Sequence, residues 1–336
     1  MKPMAIALVA ACFWLAAAPA GANDSTAELA AGGLVLRQSR NIEMQSEDLY
    51  ISPTAVRVTY RFRNTSSAPI STVVAFPMPD ITVAGPDENI SVPNPDRTNF
   101  LNFATTVDGR PVTAQVELRV VARGVDRTAY LRSLGIPLSP YRRATGEALE
   151  RLPAATRAQL IGMGLAMDEQ YDVGQGMQHH MLPTWTLRTT YYWTQVFPPG
   201  RDLIVSHRYV PAVGGSAGTS LHSPEYLASA DGRRQSTASC IDDDFLASVR
   251  RAAQRSGEGY PRMTEQRVGY VLTTGANWAR PIGNFRMVID KGSASNLVSF
   301  CGTGVRRISP TQFEVRYRNF TPRQDVSVLI LVPTAP

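Results

Sequence analysis

The sequence predicts a mainly β protein: two β-sandwich-like domains, with a helical insertion in the first and a helix opening the second. Residues 55–62 show the pattern most clearly. Val56, Val58, Tyr60 and Phe62 alternate with Arg57, Thr59 and Arg61, the period of two expected of an antiparallel strand with one wet side. The alternation returns towards the C-terminus in Val268, Tyr270 and Leu272, in Phe285, Met287 and Ile289, and in Phe313, Val315 and Tyr317. Between these groups, residues 126–134 and 139–164 are rich in Ala, Leu, Arg and Glu at a spacing of about 3.6, which is helical.

The chain opens with an address. Lys2 is the only early charge, and residues 4–18 are almost wholly apolar but short for a membrane span. Ala18-Pro19-Ala20-Gly21-Ala22 supplies the small residues a signal peptidase needs, so residues 1–22 are expected to be a signal peptide cut after Ala22. That makes the mature protein periplasmic, beginning at Asn23. A rival cut exists because Val9-Ala10-Ala11-Cys12 loosely fits a lipoprotein box. Phe13-Trp14-Leu15 argues against it, since a lipidated cysteine is normally followed by a polar tether. No later apolar run is long enough to cross a bilayer.

Export reinterprets the cysteines. With Cys12 removed, Cys240 and Cys301 are an even pair in an oxidising compartment and are expected to be bridged. Closing a loop of roughly 60 residues is worth about 4 kcal/mol in the chain-entropy model. The formal charge of +6 would suggest nucleic acid in a cytosolic protein. Here the charge is spread along the chain as arginine, with Lys291 the one lysine after Lys2, and strand positions such as Arg57, Arg61 and Arg63 suit a solvated sheet face. Nucleic acid is excluded as a partner, and a weak attraction to anionic envelope surfaces is compatible with the charge.

The elements follow in order. After the strand at 55–62, Asn64-Thr65-Ser66-Ser67-Ala68-Pro69 reads as a turn and residues 70–76 as the returning strand. Pro77 and Pro79 cannot donate to a ladder, so the strand should end there, with Phe76 packed inward at the rim and both prolines outside any ladder. Further strands are expected at 114–121, 185–196 and 203–210, the last two flanking a tight turn at Pro198-Pro199-Gly200. Ser139-Pro140 resembles a helix cap followed by proline at the first helical position. The first domain then runs over 23–225, with its helical insertion at about 126–170. Polar residues at 226–239 read as a linker, and 240–336 as the second domain. In the latter a helix starts after Cys240 and stops at Gly257.

Several of these segments carry a wider likeness. NDSTAELAAGGLVL at 23–36, then EDLYIS, VTYRF, VAFPMPDI, WTLRTTYYWTQVFPPGR and VGYVLTTGANWARPIGNFRMVIDKG, resemble a bacterial exported family, domain of unknown function 4424. The resemblance spans essentially the whole mature chain. It implies a periplasmic, β-rich protein and brings no catalytic residues to transfer. The first domain is also loosely similar to the vault/inter-α-trypsin type of β-sandwich, through the strand ending in FPMP, the following VDGRPVTAQV and the later FPPGRDLIVSHRY. That likeness implies an interaction or scaffold module.

Candidate chemistry is sparse. Gly214-Gly215-Ser216-Ala217-Gly218 matches the pattern of a nucleophile elbow, but residues 219–224 do not begin the helix that such an elbow requires. Met177, His179, His180 and Met181 offer thioether and imidazole ligands suited to copper, with Met163 and Met167 upstream. Adjacent histidines on an extended segment point to opposite sides, however, and a solvated loop is the plainer reading. Asp242-Asp243-Asp244 lacks the spacing of a calcium loop and suits a helix start. His207 alternates with core residues and reads as a satisfied, partly buried histidine. Tyr191, Tyr192 and Trp193 belong first to the core, though Tyr192 could contribute to a ligand surface. Trp278, in a turn signal, is the aromatic most expected at the surface.

The functional expectation is a non-catalytic binding or scaffolding protein of the bacterial envelope, with an envelope protein or glycan as partner and no cofactor. A glycan or peptide hydrolase is the alternative, and it requires a cleft where Asp, Glu or His side chains meet. Periplasmic copper handling through the His179/His180 segment is the second alternative.

Overall fold

A computed structural model describes residues 25–334, apart from 31–32, 84–88, 173 and 175. The expected signal peptide, its expected cut after Ala22 and the rival Cys12 lie outside the described residues.

Strand Ala55–Asn64 buries Val56, Val58, Tyr60 and Phe62 and leaves Arg57, Thr59, Arg61 and Arg63 in water, as its alternation requires. It lies antiparallel between Ile42–Ser52 and Asp202–Tyr209. The next strand, Ile70–Pro77, does not return beside it. That strand pairs with Thr186–Phe197 and Ser25–Ala30 in a different sheet. Asn64 is the cause. Its buried amide donates to the carbonyls of Ala68 and Phe197, both at 2.9 Å, and its Oδ1 accepts from the Ser66 amide at 2.9 Å. The turn at 64–69 is therefore a crossing between layers rather than a hairpin. Pro198-Pro199-Gly200 makes the reverse crossing, and the Gly200 amide donates to the Asn64 carbonyl at 2.9 Å.

Among the described residues the largest sheet has eight strands. Their order is Arg306–Arg307, Gln312–Phe320, Ile282–Asp290, Ile42–Ser52, Ala55–Asn64, Asp202–Tyr209, Ala104–Val107 and Arg110–Val112. A second sheet is built on Gln115–Ala122, Thr186–Phe197, Ile70–Pro77, Ser25–Ala30 and Gly33–Arg37. A third runs Leu297–Ser299, Val326–Pro333, Met263–Tyr270, Val213–Ser216 and Asn89–Ser91. Strands from before and after 226–239 thus share two of the three sheets. One core cluster takes Tyr60, Phe76 and Tyr270 from all three, and the Tyr60 and Tyr270 hydroxyls meet at 2.9 Å.

The mainly β expectation holds, but the proposed boundary at 226–239 does not divide the sheets. The physical reason is that the inward face of Ala55–Asn64 needs cover from the other two sheets, and part of that cover comes from Met263–Tyr270.

Nor is 226–239 a linker. It folds into helices Pro224–Ala228 and Ala230–Ser239, whose N-caps Ser223 and Ser229 accept from the amides of Tyr226 and Gly232 at 3.1 and 3.0 Å. Gly232 is required there, because a Cβ would lie 2.0 Å from the Tyr226 carbonyl oxygen. Tyr226 and Leu227 pack into a small core with Phe245, Val249, Leu329 and Leu331. Helix Asp243–Ser256 is capped as expected, with Asp242 accepting from the Phe245 amide at 2.8 Å and Gly257 left-handed at φ 72°. Strand Val326–Pro333 is consequently covered on both faces: Val328 and Ile330 enter the main core, Leu329 and Leu331 the helical one. This explains its unbroken apolar run.

The insertion is helical over Thr128–Ser133, Arg143–Glu150 and Ala154–Met163 only. It then becomes an antiparallel hairpin, Ala166–Asp172 with Met177–Pro183, so the expected helical limit of 170 is too late. Ser139-Pro140 does not cap a helix. The chain stays irregular to Arg142 while the buried Ser139 carbonyl accepts from the Thr145 hydroxyl at 2.7 Å.

At the outer end of the large sheet, Glu314 is caged by arginines. Its side chain is 4% exposed and meets Arg316, Arg286 and Arg306 at 2.9, 2.7 and 2.6 Å. The Arg316 hydrogen bond first, then those of Arg286 and Arg306, outweigh desolvation and hold its carboxyl at about 2, below an ordinary 4.5.

Phe76 is fully buried, 4.8 Å from the His207 ring and 5.3 Å from Phe103. Pro77, contrary to expectation, keeps a rung opposite Thr190. Lacking only an N–H, it can hold register while the ladder closes with the Met78 amide on the Thr189 carbonyl at 2.8 Å. Pro79 does lie outside the strand. Phe76→Ala is expected to cost roughly 3–5 kcal/mol in urea denaturation, and wild-type stability would refute this packing.

Glu314 gives a second expectation. A carboxyl lowered on folding stabilises fully above its unfolded value and progressively less as pH falls towards its folded one. Wild-type stability should therefore decline between about pH 4.5 and about 2, and Glu314→Gln should flatten that decline while weakening the protein at neutral pH. Parallel curves for the two proteins would show that the cage contributes nothing.

Candidate functional site

Three strands and one disulfide converge on a cavity of about 540 Å³. Phe285 and Met287 reach it from Ile282–Asp290, Tyr317 and Phe320 from Gln312–Phe320, and Val326 from the last strand. Alternation aims Phe285, Met287 and Tyr317 at one face, and Phe320, which alternation alone would turn away, joins them past Asn319, left-handed at φ 49°. Phe285 stacks on Tyr317 at 5.9 Å between centroids, and both rings lie 4.8 Å from Phe320. The Cys240–Cys301 bridge forms one wall. Cys240 ends helix Ala230–Ser239 in the left-handed region at φ 48°, and Cys301 follows strand Leu297–Ser299. Beyond Cys301 the loop is pinned by the Thr303 amide, which donates to the Tyr317 hydroxyl at 2.8 Å.

The polar groups here divide into spent and unspent. Asp325, the only carboxylate lining the cavity among the described residues, accepts from the amides of Leu272 and Thr273, both at 3.0 Å, and from the Thr273 hydroxyl at 2.8 Å. All three bonds fall on Oδ1, and they fasten the loop at 321–325 to the turn Thr273–Asn277. Arg323 is exposed at the cavity and makes no ion pair or hydrogen bond among the described residues. The arrangement suits a ligand with an aromatic or branched apolar body and an anionic group.

The residues singled out from sequence fall elsewhere, apart from the two cysteines. Trp278 is a correction: it is 1% exposed, its ring 4.5 Å from Phe62 and 6.4 Å from Phe197. The turn before it is tied down by Asp325 and by the Asn277 carbonyl, which accepts from the Ser39 amide at 2.8 Å. The indole therefore enters the core instead of water. Tyr192 is half-buried against Ala27, Leu34 and Ala75, with its hydroxyl donating to Gln115 Oε1 at 2.7 Å.

His179 and His180 lie on a strand, not in a loop. His179 Nδ1 is 2.9 Å from Asp168, and His180 stacks on Tyr171 at 5.2 Å and lies 3.6 Å from Glu150. Met177 is exposed while Met181 is buried in the insertion core, so the four residues do not converge. Among the described residues no group of three His, Cys, Asp or Glu is placed to hold a metal ion.

Ser216 ends strand Val213–Ser216 and its hydroxyl donates to the Gly218 carbonyl, a turn rather than an elbow. His207 is satisfied as expected, its Nδ1 3.0 Å from the Thr105 hydroxyl, and it is more fully buried than anticipated. Alternation in the sequence marks Phe285, Met287 and Tyr317 only as strand positions. The usable signal was their proximity in sequence to Cys301 and Arg323, which periodicity does not register.

Among solved structures, the chain is similar to one described as a "putative nutrient binding protein" from Legionella pneumophila. The two share 15% identity over 92% of this chain and 70% of that one, with a TM-score of 0.45. At that distance the likeness carries no functional argument, and it does not bear on the vault/inter-α-trypsin resemblance. No curated protein matches the chain. The family described as "Domain of unknown function (DUF4424)" matches residues 22–329, and the chain belongs to that family.

Proposed function

We propose that the protein is an exported, non-catalytic binding module of the cell envelope, and that the disulfide-walled cavity receives a small apolar or aromatic carboxylate. One observation carries this reading: an aromatic floor of Phe285, Tyr317 and Phe320 faces an arginine, Arg323, that no carboxylate neutralises among the described residues. Export is supported by the sequence pattern before Asn23 and by the Cys240–Cys301 bridge, which belongs in an oxidising compartment. The hydrolase alternative needs converging acid and base groups, and among the described residues lining the cavity Asp325 has no histidine or second carboxylate beside it.

The test is calorimetric titration with phenylacetate, indole acetate and a branched-chain keto acid, each beside its uncharged amide. The acids should bind more tightly than the amides. Arg323→Gln should remove that preference, about ten- to a hundredfold for a charged hydrogen bond. Phe320→Ala should weaken acid and amide alike. Binding that ignores both substitutions, or no preference for any acid, would refute the assignment.

A further inference from the structure

The outward face of the large sheet is built from arginines whose charge is incompletely cancelled. Arg57 and Arg208 stand directly opposite each other on neighbouring antiparallel strands, a like-charge pairing that destabilises a sheet. Arg57 rests over the Tyr50 ring at 4.1 Å, and Arg208 makes no ion pair or hydrogen bond among the described residues. Beside them Arg61 and Arg63 share one carboxylate, Asp202, at 3.6 and 3.0 Å. Further along the same sheet Arg318 is exposed without an ion pair, and the three arginines of the Glu314 cage face two carboxylates, Glu314 and, through Arg286, Asp48. Between the rows, the Thr59 and Ser206 hydroxyls sit 3.1 Å apart.

Two properties of this face select its partner. Guanidinium groups bind phosphate oxygens in pairs, so the chemistry favours a phosphate-bearing partner. The face is a broad sheet surface with arginines spread over several adjacent strands, which matches a planar array of phosphates better than a single chain. At its edge, strand Arg306–Arg307 is flanked by Val305 and Ile308, both exposed, an apolar contact that a soluble polyanion would not use. We propose that this face docks on the anionic phospholipid surface of a membrane, with Arg57, Arg208 and Arg318 at the headgroups and Val305 and Ile308 against the interface. The loop after Cys301 joins the two sites, since it lines the cavity through Gly302 and Thr303 before reaching Val305. Docking does not depend on what the cavity binds.

Vesicle co-sedimentation tests this with the mature protein, using phosphatidylcholine alone and phosphatidylcholine doped with phosphatidylglycerol. Binding should require the anionic lipid and disappear at about 0.5 M salt, where screening is nearly complete. Arg57→Gln with Arg208→Gln should weaken it about twenty-five-fold, fivefold for each arginine. The same charge change at Arg250 and Arg251, on helix Asp243–Ser256, should have little effect. Val305→Ser with Ile308→Ser should reduce vesicle binding and leave dextran sulfate binding unchanged. The proposal is overturned if doped vesicles do not bind, or if the control pair weakens binding as much. Binding to dextran sulfate but not to doped vesicles would equally overturn it, in favour of a soluble polyanion. Circular dichroism of each variant confirms that the exposed substitutions leave the fold intact.

Discussion

The parallel pairing of Ile282–Asp290 with Ile42–Ser52 is the contact on which the rest of the structure depends. It is the parallel pairing among the described strands, and it places a C-terminal strand in the middle of a sheet begun near the N-terminus. A bulge prepares the place. The register of Ile42–Ser52 shifts between Met44 and Ser46, which turns Glu47 inward beside the Tyr60–Tyr270 pair, where its carboxylate accepts from the Tyr270 hydroxyl at 3.2 Å. The bulged Gln45 pushes its carbonyl towards Gly283, where a Cβ would come within 2.6 Å of it. Only glycine lets the two backbones approach so closely. Once seated, the strand presents Phe285 and Met287 to the cavity on one face and Arg286 to Asp48 and Glu314 on the other.

That contact also explains which parts of the fold were legible. Alternation identified the strands and their inward faces well: Val56, Val58, Tyr60 and Phe62 are all inside, and Phe76 is fully buried. Pairing was less legible, because period two tells which face is wet and not which strand lies alongside. The turn at 64–69 looked like a hairpin, and only the buried Asn64 amide, reaching both Ala68 and Phe197, shows that it changes sheets. The segment 226–239 looked like a linker because its helices bury little apolar surface and depend on Ser223 and Ser229 caps and on Gly232 packing. Trp278 looked exposed because a turn signal describes the backbone, not the direction of the indole that follows it.

The candidate site was the least legible part for a related reason. Its residues come from Leu272, the strand around Phe285, the loop after Cys301, the strand around Tyr317 and the loop at 321–325, and each is ordinary in its own segment. Only the disulfide was readable in advance, and it turns out to be a wall of the cavity as well as a brace. The scaffold keeps that wall stiff through covalent and hydrogen-bonded ties: the bridge itself, Thr303 on the Tyr317 hydroxyl, and Asp325 on the Thr273 turn. A preformed pocket limits the ordering cost of binding.

The central claim is that the two halves of the chain are one cooperative structure, joined through the strand pair 42–52 and 282–290. Residue-resolved amide hydrogen exchange tests it most directly, because it reports the opening free energy of each strand separately. The slowest amides of Ile42–Ser52, Ile282–Asp290 and Val326–Pro333 should share one opening free energy, equal to that of global unfolding. A separate, lower value common to the amides of residues 240–334, with 25–225 still protected, would contradict the account.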